Sequence, residues 1–251
     1  MGDEMKLNSK ILDLVLEGFE LKAGSRKLIP STRKLKEIKS VLYDKNFLNS
    51  KNSEEDLYYM YRSVGSEQED AFRKYRVKYD ITIVKGMDLG SEHNKTLGHY
   101  HAIAEKGLSY PEIYEVIDGR AIYLLQKPLG NGEYDVRIVN AYKGEKLYIP
   151  PNYGHITINP EPKSLVMSNL VGSEFKSDYE SIIKMGGGAI FSLCNGEIVF
   201  NKSYKDIHVS IEEGAGMPFG LEKGRSLYDE FVEDPAKFEF LDKPSMLQKT
   251  E

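Results

Sequence analysis

Thr96-Leu97-Gly98-His99-Tyr100-His101 is the stretch on which the reading of this chain turns. In a strand, residues two apart project from the same face, so His99 and His101 can point together into a barrel interior. Glu112 opens the next strand-like segment, EIYEVIDG (112–119). His155 follows the turn Pro150-Pro151-Asn152-Tyr153-Gly154, which aims it inward from another strand. Three imidazoles and one carboxylate suit iron, manganese, nickel, cobalt or zinc, with positions left open for water or substrate. A His-x-His pair alone is weak evidence of a metal site. Here, however, three of the chain's five histidines fall in these two places, each beside glycine or proline. The other two read differently. His93 sits in a polar stretch expected to be a loop. His208 alternates with apolar neighbours in KDIHVSI (205–211), a strand with a structural or exposed histidine.

Around these residues the texture is that of a β protein. YDITIVKG (79–86), EIYEVIDG, RAIYLLQKP (120–128), YDVRIVNAY (134–142), EKLYIPP (145–151), HITINP (155–160) and KSLVMSNLVG (163–172) read as short strands. Asp118-Gly119, Asn131-Gly132, Lys143-Gly144-Glu145, Pro150-Pro151 and Pro160-Glu161-Pro162 punctuate them. Regular short strands with such turns predict an antiparallel sandwich or barrel over 76–218. A hairpin is expected at Asn195-Gly196 within AIFSLCNGEIVF (189–200). Residues 1–75 form a partly helical preface. LNSKILDLVLEGFEL (7–21) fits a helix or a strand with a turn. STRKLKEIKSVLYD (31–44) predicts a helix capped by Ser31 or Thr32 with Leu35, Ile38 and Leu42 on one face, and SEEDLYYMYRS (53–63) a weaker one. The charged tail, 219–251, predicts one or two helices in RSLYDEFVEDPAKFEFL (225–241), broken at Pro235.

Composition narrows the function classes. The chain has 251 residues, 29% of them charged, and a net charge of −5 with scattered basic residues. No basic stripe marks a nucleic-acid face. No apolar run approaches the roughly 18 residues of a membrane span, and the charged N-terminus lacks the pattern of a secretory signal. Cys194 is the single cysteine. It excludes an intramolecular disulfide and a thiolate-rich zinc site, and it fits a reducing, cytoplasmic setting.

These motifs resemble those of a known superfamily. TLGHYH followed by EIYEVIDGRAIYLLQKP looks like the first cupin motif, and GEKLYIPPNYGHITIN (144–159) like the second. More narrowly, the chain resembles the cupin-type glucose-6-phosphate isomerases of archaea and some bacteria. Thr96 to His101, Glu112 to Tyr114, Leu124-Leu125-Gln126, Pro150 to Asn159 and SDYESIIKMG (177–186) carry the likeness over roughly 75–200. The resemblance implies an all-β jelly-roll barrel, the cupin double-stranded β-helix, with helical extensions at either end. It implies His99, His101, Glu112 and His155 as ligands of a divalent metal, Fe(II) first among them. Thr82, Thr96, Gly98 and Tyr179 would bind the phosphate of a small sugar phosphate, and Tyr114 would lie near the sugar. Glu112 would be the base that moves a proton between C1 and C2, or the metal would promote a hydride shift. The phosphate site would be one of hydroxyls and amides, with Lys or Arg from elsewhere in the chain as the open alternative, and the assembly a homodimer. The same ligands would serve a mannose-6-phosphate isomerase, an iron dioxygenase or a non-catalytic binding cupin. This chain departs from the family in a longer segment between His101 and Glu112. It also lacks a tyrosine near Val171 and a histidine near Ser177, and it carries extensions at both ends.

Overall fold

The computed structural model describes residues 4–50, 53–65 and 69–250. Two six-stranded sheets face each other. Their strands, in chain order, are β1 (Ser31–Lys34), β2 (Asp56–Tyr61), β3 (Val77–Val84), β4 (Asp88–Leu89), β5 (Glu92–Lys95), β6 (Glu112–Asp118), β7 (Arg120–Gly130), β8 (Glu133–Tyr142), β9 (Lys146–Ile149), β10 (Gly154–Asn159), β11 (Leu165–Gly172) and β12 (Asp206–Glu213). The first sheet runs β9-β6-β11-β3-β2-β1 and the second β12-β8-β7-β10-β5-β4. The chain crosses from one sheet to the other at the turns the sequence marks. Asp118-Gly119 leads from β6 to β7, Gly144 from β8 to β9, Pro150 to Tyr153 from β9 to β10, and Pro160 to Ser164 from β10 to β11. This alternation is the cupin double-stranded β-helix. The pairings are antiparallel except β8 with β12, which run parallel.

The inner faces of both sheets bury one core, including Tyr58, Val116, Leu124, Ile138, Leu147, Ile156 and Met167. The first sheet also buries its outer face. Tyr79, Ile81 and Ile83 of β3, Ile113 and Ile117 of β6, and Val166 and Leu170 of β11 point away from the barrel. There they pack under Leu14, Leu21, Tyr228, Phe231 and Phe238 from the two ends of the chain. This explains why β11 is apolar on both of its faces, whereas β3 alternates, with Tyr79, Ile81 and Ile83 in the outer core and Lys78, Asp80 and Thr82 on the other face.

The tail folds as expected, into the helix Leu227–Glu233 and a 3₁₀ segment, Pro235–Leu241, that starts at the predicted break. The hairpin at Asn195-Gly196 joins strands Ile190–Ser192 and Ile198–Phe200. The first 75 residues are more extended than the sequence reading has them. LNSKILDLVLEGFEL resolves into strands Leu14–Glu17 and Glu20–Ala23 about a turn at Gly18. Ser31 and Thr32 cap no helix. They lie in β1, and only Leu35–Val41 winds into a 3₁₀ helix, with Leu35, Ile38 and Leu42 buried as expected. The weaker helix expected in SEEDLYYMYRS is instead β2, paired to β3 through Met60↔Thr82. Its Tyr-rich run favours a pleated surface over a helix, and pairing on both sides, to β1 and to β3, outweighs local periodicity.

The outer core binds the termini to the barrel. Asn8 Nδ2 donates to Glu115 Oε1 at 2.7 Å, and the Leu227 amide donates to Glu115 Oε2 at 2.8 Å. Asp229 accepts from Ser9 Oγ (2.5 Å) and the Lys10 amide (2.7 Å). Phe231 is fully buried against Phe72 and Phe238. Phe231→Ala is therefore expected to cost about 3–5 kcal/mol, read as a shift in the urea midpoint. A loss under about 1 kcal/mol would show that the C-terminal helix is a loose appendage.

Candidate metal centre

His99 and His155 face each other across a two-residue antiparallel bridge outside the main strands. The His99 amide donates to the His155 carbonyl at 3.2 Å, and the His155 amide returns a bond to His99 at 3.0 Å. Gly98 makes the approach possible. Its φ is +79°, and a Cβ there would sit 2.3 Å from Ile156 Cγ1. Only glycine fits such a contact with such a backbone. His101 pairs with Ser177 on a short neighbouring ladder, which carries the SDYESIIKMG segment to the site and leaves the Tyr179 ring 5.4 Å from that of His99. Glu112 enters from β6 of the opposite sheet.

The donor atoms of His99, His101, Glu112 and His155 all lie within 4.8 Å of one another. Nε2 of His99 and Nε2 of His101 are 3.1 Å apart. Glu112 Oε2 is 3.4 Å from His101 Nε2 and 3.3 Å from His155 Nε2. That oxygen is buried and makes no hydrogen bond. The donor set fits a divalent transition metal. His101 Nδ1 lies 2.7 Å from the Tyr110 carbonyl. A carbonyl can only accept, so Nδ1 carries the proton and Nε2 keeps its lone pair toward the centre. Burial holds all three imidazoles below their usual pKa, His101 down to about 4. All three are thus neutral and ready to ligate at pH 7. Burial, reinforced by Asp80, pushes Glu112 up to about 8. A buried carboxylate without a formal partner is what a cation at this point would relieve.

A narrow cavity opens beside the cluster. Thr82, Thr96, Gly98, Tyr114 and Tyr179 all line it, together with His99, Glu112 and His155. Thr82 reaches it from β3. The Thr96 oxygen accepts from the Thr157 amide at 3.0 Å, so its own proton faces elsewhere. Tyr114 OH is 3.3 Å from His155 Nε2. Val171 is buried in β11 opposite Glu112, and Ser177 is opposite His101.

Sequence reasoning missed the wall supplied by β2 and by Arg62 just beyond its end. Tyr58, Met60 and Arg62 line the same cavity at alternate positions. Tyr58 OH accepts from the Leu97 amide, one residue before Gly98, at 3.1 Å. Arg62 binds Asp80 at 2.7 Å, Lys78 approaches the same carboxylate at 3.3 Å, and Arg33 lies over the Tyr179 ring at 5.4 Å. Of the two arrangements the sequence leaves open, hydroxyls and amides alone or joined by basic residues from elsewhere, the cavity has the second: Arg62 lines it, and Lys78 and Arg33 stand close by. The available signal was the aromatic run Tyr58-Tyr59-Met60-Tyr61, which suits a strand, and the helical reading masked it. His93 is corrected too. It lies in β5, 3.6 Å from Asp88, rather than in a loop. His208 is exposed on β12, as one of the two expected alternatives had it.

A family model described as "Glucose-6-phosphate isomerase (GPI)" matches residues 32–209. A glucose-6-phosphate isomerase of Thermococcus onnurineus (strain NA1) is 27% identical over 175 residues, covering 70% of this chain and 85% of the relative. That of Thermococcus kodakarensis is 26% identical over 197 residues, covering 78% and 96%. A putative glucose-6-phosphate isomerase 1 of Rhizobium meliloti is 33% identical over 109 residues, covering 43% and 47%.

The raised Glu112 pKa has a stability signature in metal-free protein. Between its unfolded value, near 4.5, and about 8, the native carboxyl holds a proton the unfolded chain has shed. Stability from this group therefore falls as pH rises through that window. Below about pH 7.5 the unfolded chain also binds protons on imidazoles that the native site keeps neutral, an opposing trend that wild type and Glu112→Gln share and that cancels in their difference. Urea denaturation of metal-free wild type against Glu112→Gln, from pH 6.5 to 8.5, should show wild type losing stability relative to the variant up to about pH 8 and then levelling. Parallel curves would mean that Glu112 titrates normally.

Proposed function

The chain belongs to the glucose-6-phosphate isomerase family, and on that premise we propose that it interconverts glucose 6-phosphate and fructose 6-phosphate with a divalent metal held by His99, His101, Glu112 and His155. The observation that carries this reading is the buried, unpartnered Oε2 of Glu112 facing two neutral imidazoles beside a cavity with polar walls. We take Fe(II) as the metal, since three nitrogens and one oxygen with open positions suit a first-row ion of that class.

The protein's own groups divide the work. The hydroxyls of Thr82, Thr96 and Tyr179 and the Gly98 amide donate to the phosphate, and Arg62 adds positive charge at the same wall. Tyr114 orients the open-chain sugar against His155. Glu112 takes a proton from C2 of the aldose and returns it to C1, and acts in reverse order for the ketose. The chemistry a divalent cation supplies when bound here is charge stabilisation as negative charge grows on the two sugar oxygens. The half-enclosed site limits access of water to the carbon being deprotonated. We further propose a cytoplasmic homodimer, in keeping with the lone cysteine and with the strand edges of an open sandwich that need cover.

The test is a coupled, anaerobic assay of fructose 6-phosphate conversion on metal-stripped protein, with and without Fe(II) or Mn(II). Turnover should require metal and fall at least about 100-fold in His155→Ala. Arg62→Ala should raise KM about 10-fold with kcat nearly kept, the mark of lost ground-state binding. Stoichiometric metal binding without turnover would sink the isomerase assignment. In deuterium oxide, proton transfer through Glu112 places solvent deuterium on the product, whereas a hydride shift leaves it unlabelled.

A further inference from the structure

Two features lie outside the ligand set: the segment between His101 and Glu112, and the tail beyond the matched region, which ends at residue 209. In the structure they meet. The segment folds as a small hairpin, Ile103–Glu105 against Leu108–Ser109. The tail segment Pro244–Thr250 lies against it. The Ser245 amide donates to Glu105 Oε1 at 3.0 Å, and Lys106 Nζ donates to Ser245 Oγ at 3.3 Å.

The hairpin leads straight into Tyr110, whose carbonyl sits 2.7 Å from His101 Nδ1. The Tyr110 amide in turn donates to the Ala102 carbonyl at 3.2 Å, closing the loop on the residue next to His101. The Tyr110 ring is wedged near Gly172. A Cβ at Gly172 would lie 2.6 Å from that ring and 3.0 Å from the Leu241 carbonyl. The tail thus touches the tip of the hairpin at Glu105 and Lys106, and its Leu241 carbonyl closes the space over Gly172 that the Tyr110 ring shares.

We propose that the C-terminal tail is a positioning element for the metal centre. Through Glu105 and the hairpin it fixes the Tyr110 carbonyl on His101 Nδ1, and so fixes the tautomer and tilt of that ligand. The proposal rests on the metal-centre reading, but it concerns segments outside the ligand set. Groups that orient a metal-binding imidazole typically change affinity by 10- to 100-fold when removed. Glu105 touches none of the four ligands, so a change in metal affinity there must travel through the carbonyl contact.

The experiment uses the full chain with Glu105→Ala and Glu105→Gln, the second of which keeps the acceptor oxygen. Calorimetry of metal-stripped protein with Mn(II) alone should show Glu105→Ala binding about 10-fold more weakly and Glu105→Gln binding as wild type does. Proton NMR of histidine-labelled, metal-free protein should show the His101 Nδ1 proton protected in wild type and Glu105→Gln, and exchanging faster in Glu105→Ala. Thermal melting confirms that each variant is folded. Unchanged Mn(II) affinity and an equally protected His101 proton in Glu105→Ala would overturn the proposal. If wild type itself binds no Mn(II), the metal-centre reading fails, and the NMR arm still decides whether the tail holds the carbonyl in place.

Discussion

The backbone bridge between His99 and His155 is the constraint on which the site depends. Two amide–carbonyl bonds hold the chain entering from one side of the barrel against a strand of the second sheet. They place two imidazoles without relying on side-chain packing. The cost is a backbone contact so close that position 98 tolerates no side chain. Every other ligand is referred to this pair: His101 by the two-residue period of the same segment, and Glu112 by facing the imidazoles from β6.

Burial then converts geometry into chemistry. The same dry surroundings that depress the imidazoles raise the carboxyl, so the cluster at neutral pH is three lone pairs and one reluctant acid. Such a cluster is poorly stabilised by its own partners, since Glu112 Oε2 lacks a hydrogen bond. It has the character of a site that gives up stability in exchange for affinity toward a cation. The cations near the cavity, Arg62 and Lys78, share Asp80, and their charge adds to burial in holding His99 neutral.

The four metal-binding candidates were legible because each depends on local grammar: a period of two for His99 and His101, the opening of a strand for Glu112, and a proline–glycine turn before His155. The barrel strands were legible for the same reason, being short, apolar and separated by turn residues. Thr82 and Tyr179 became visible only through family likeness, since a lone threonine on a strand or tyrosine before a short helix carries no local mark. Arg62 and Tyr58 stayed hidden because β2 reads as a weak helix, and its conformation is decided by pairing to β3, about 20 residues away in the chain. Glu115 was hidden for a deeper reason. It is a buried carboxylate in an apolar strand, and it is accounted for only by partners at residues 8 and 227.

The doubly covered first sheet also sets an order on the birth of the molecule. Residues 227–241 leave the ribosome after every strand of the barrel, yet they roof Tyr79, Ile81, Ile113 and Leu170. Until they emerge, a barrel with its inner core complete still shows one oily wall, and Glu115 still waits for the Leu227 amide. The nascent chain therefore passes through a stage in which its two sheets can pair and its outer surface is still adhesive. Docking of residues 227–241, and not closure of the barrel, is the moment at which this wall ceases to be adhesive.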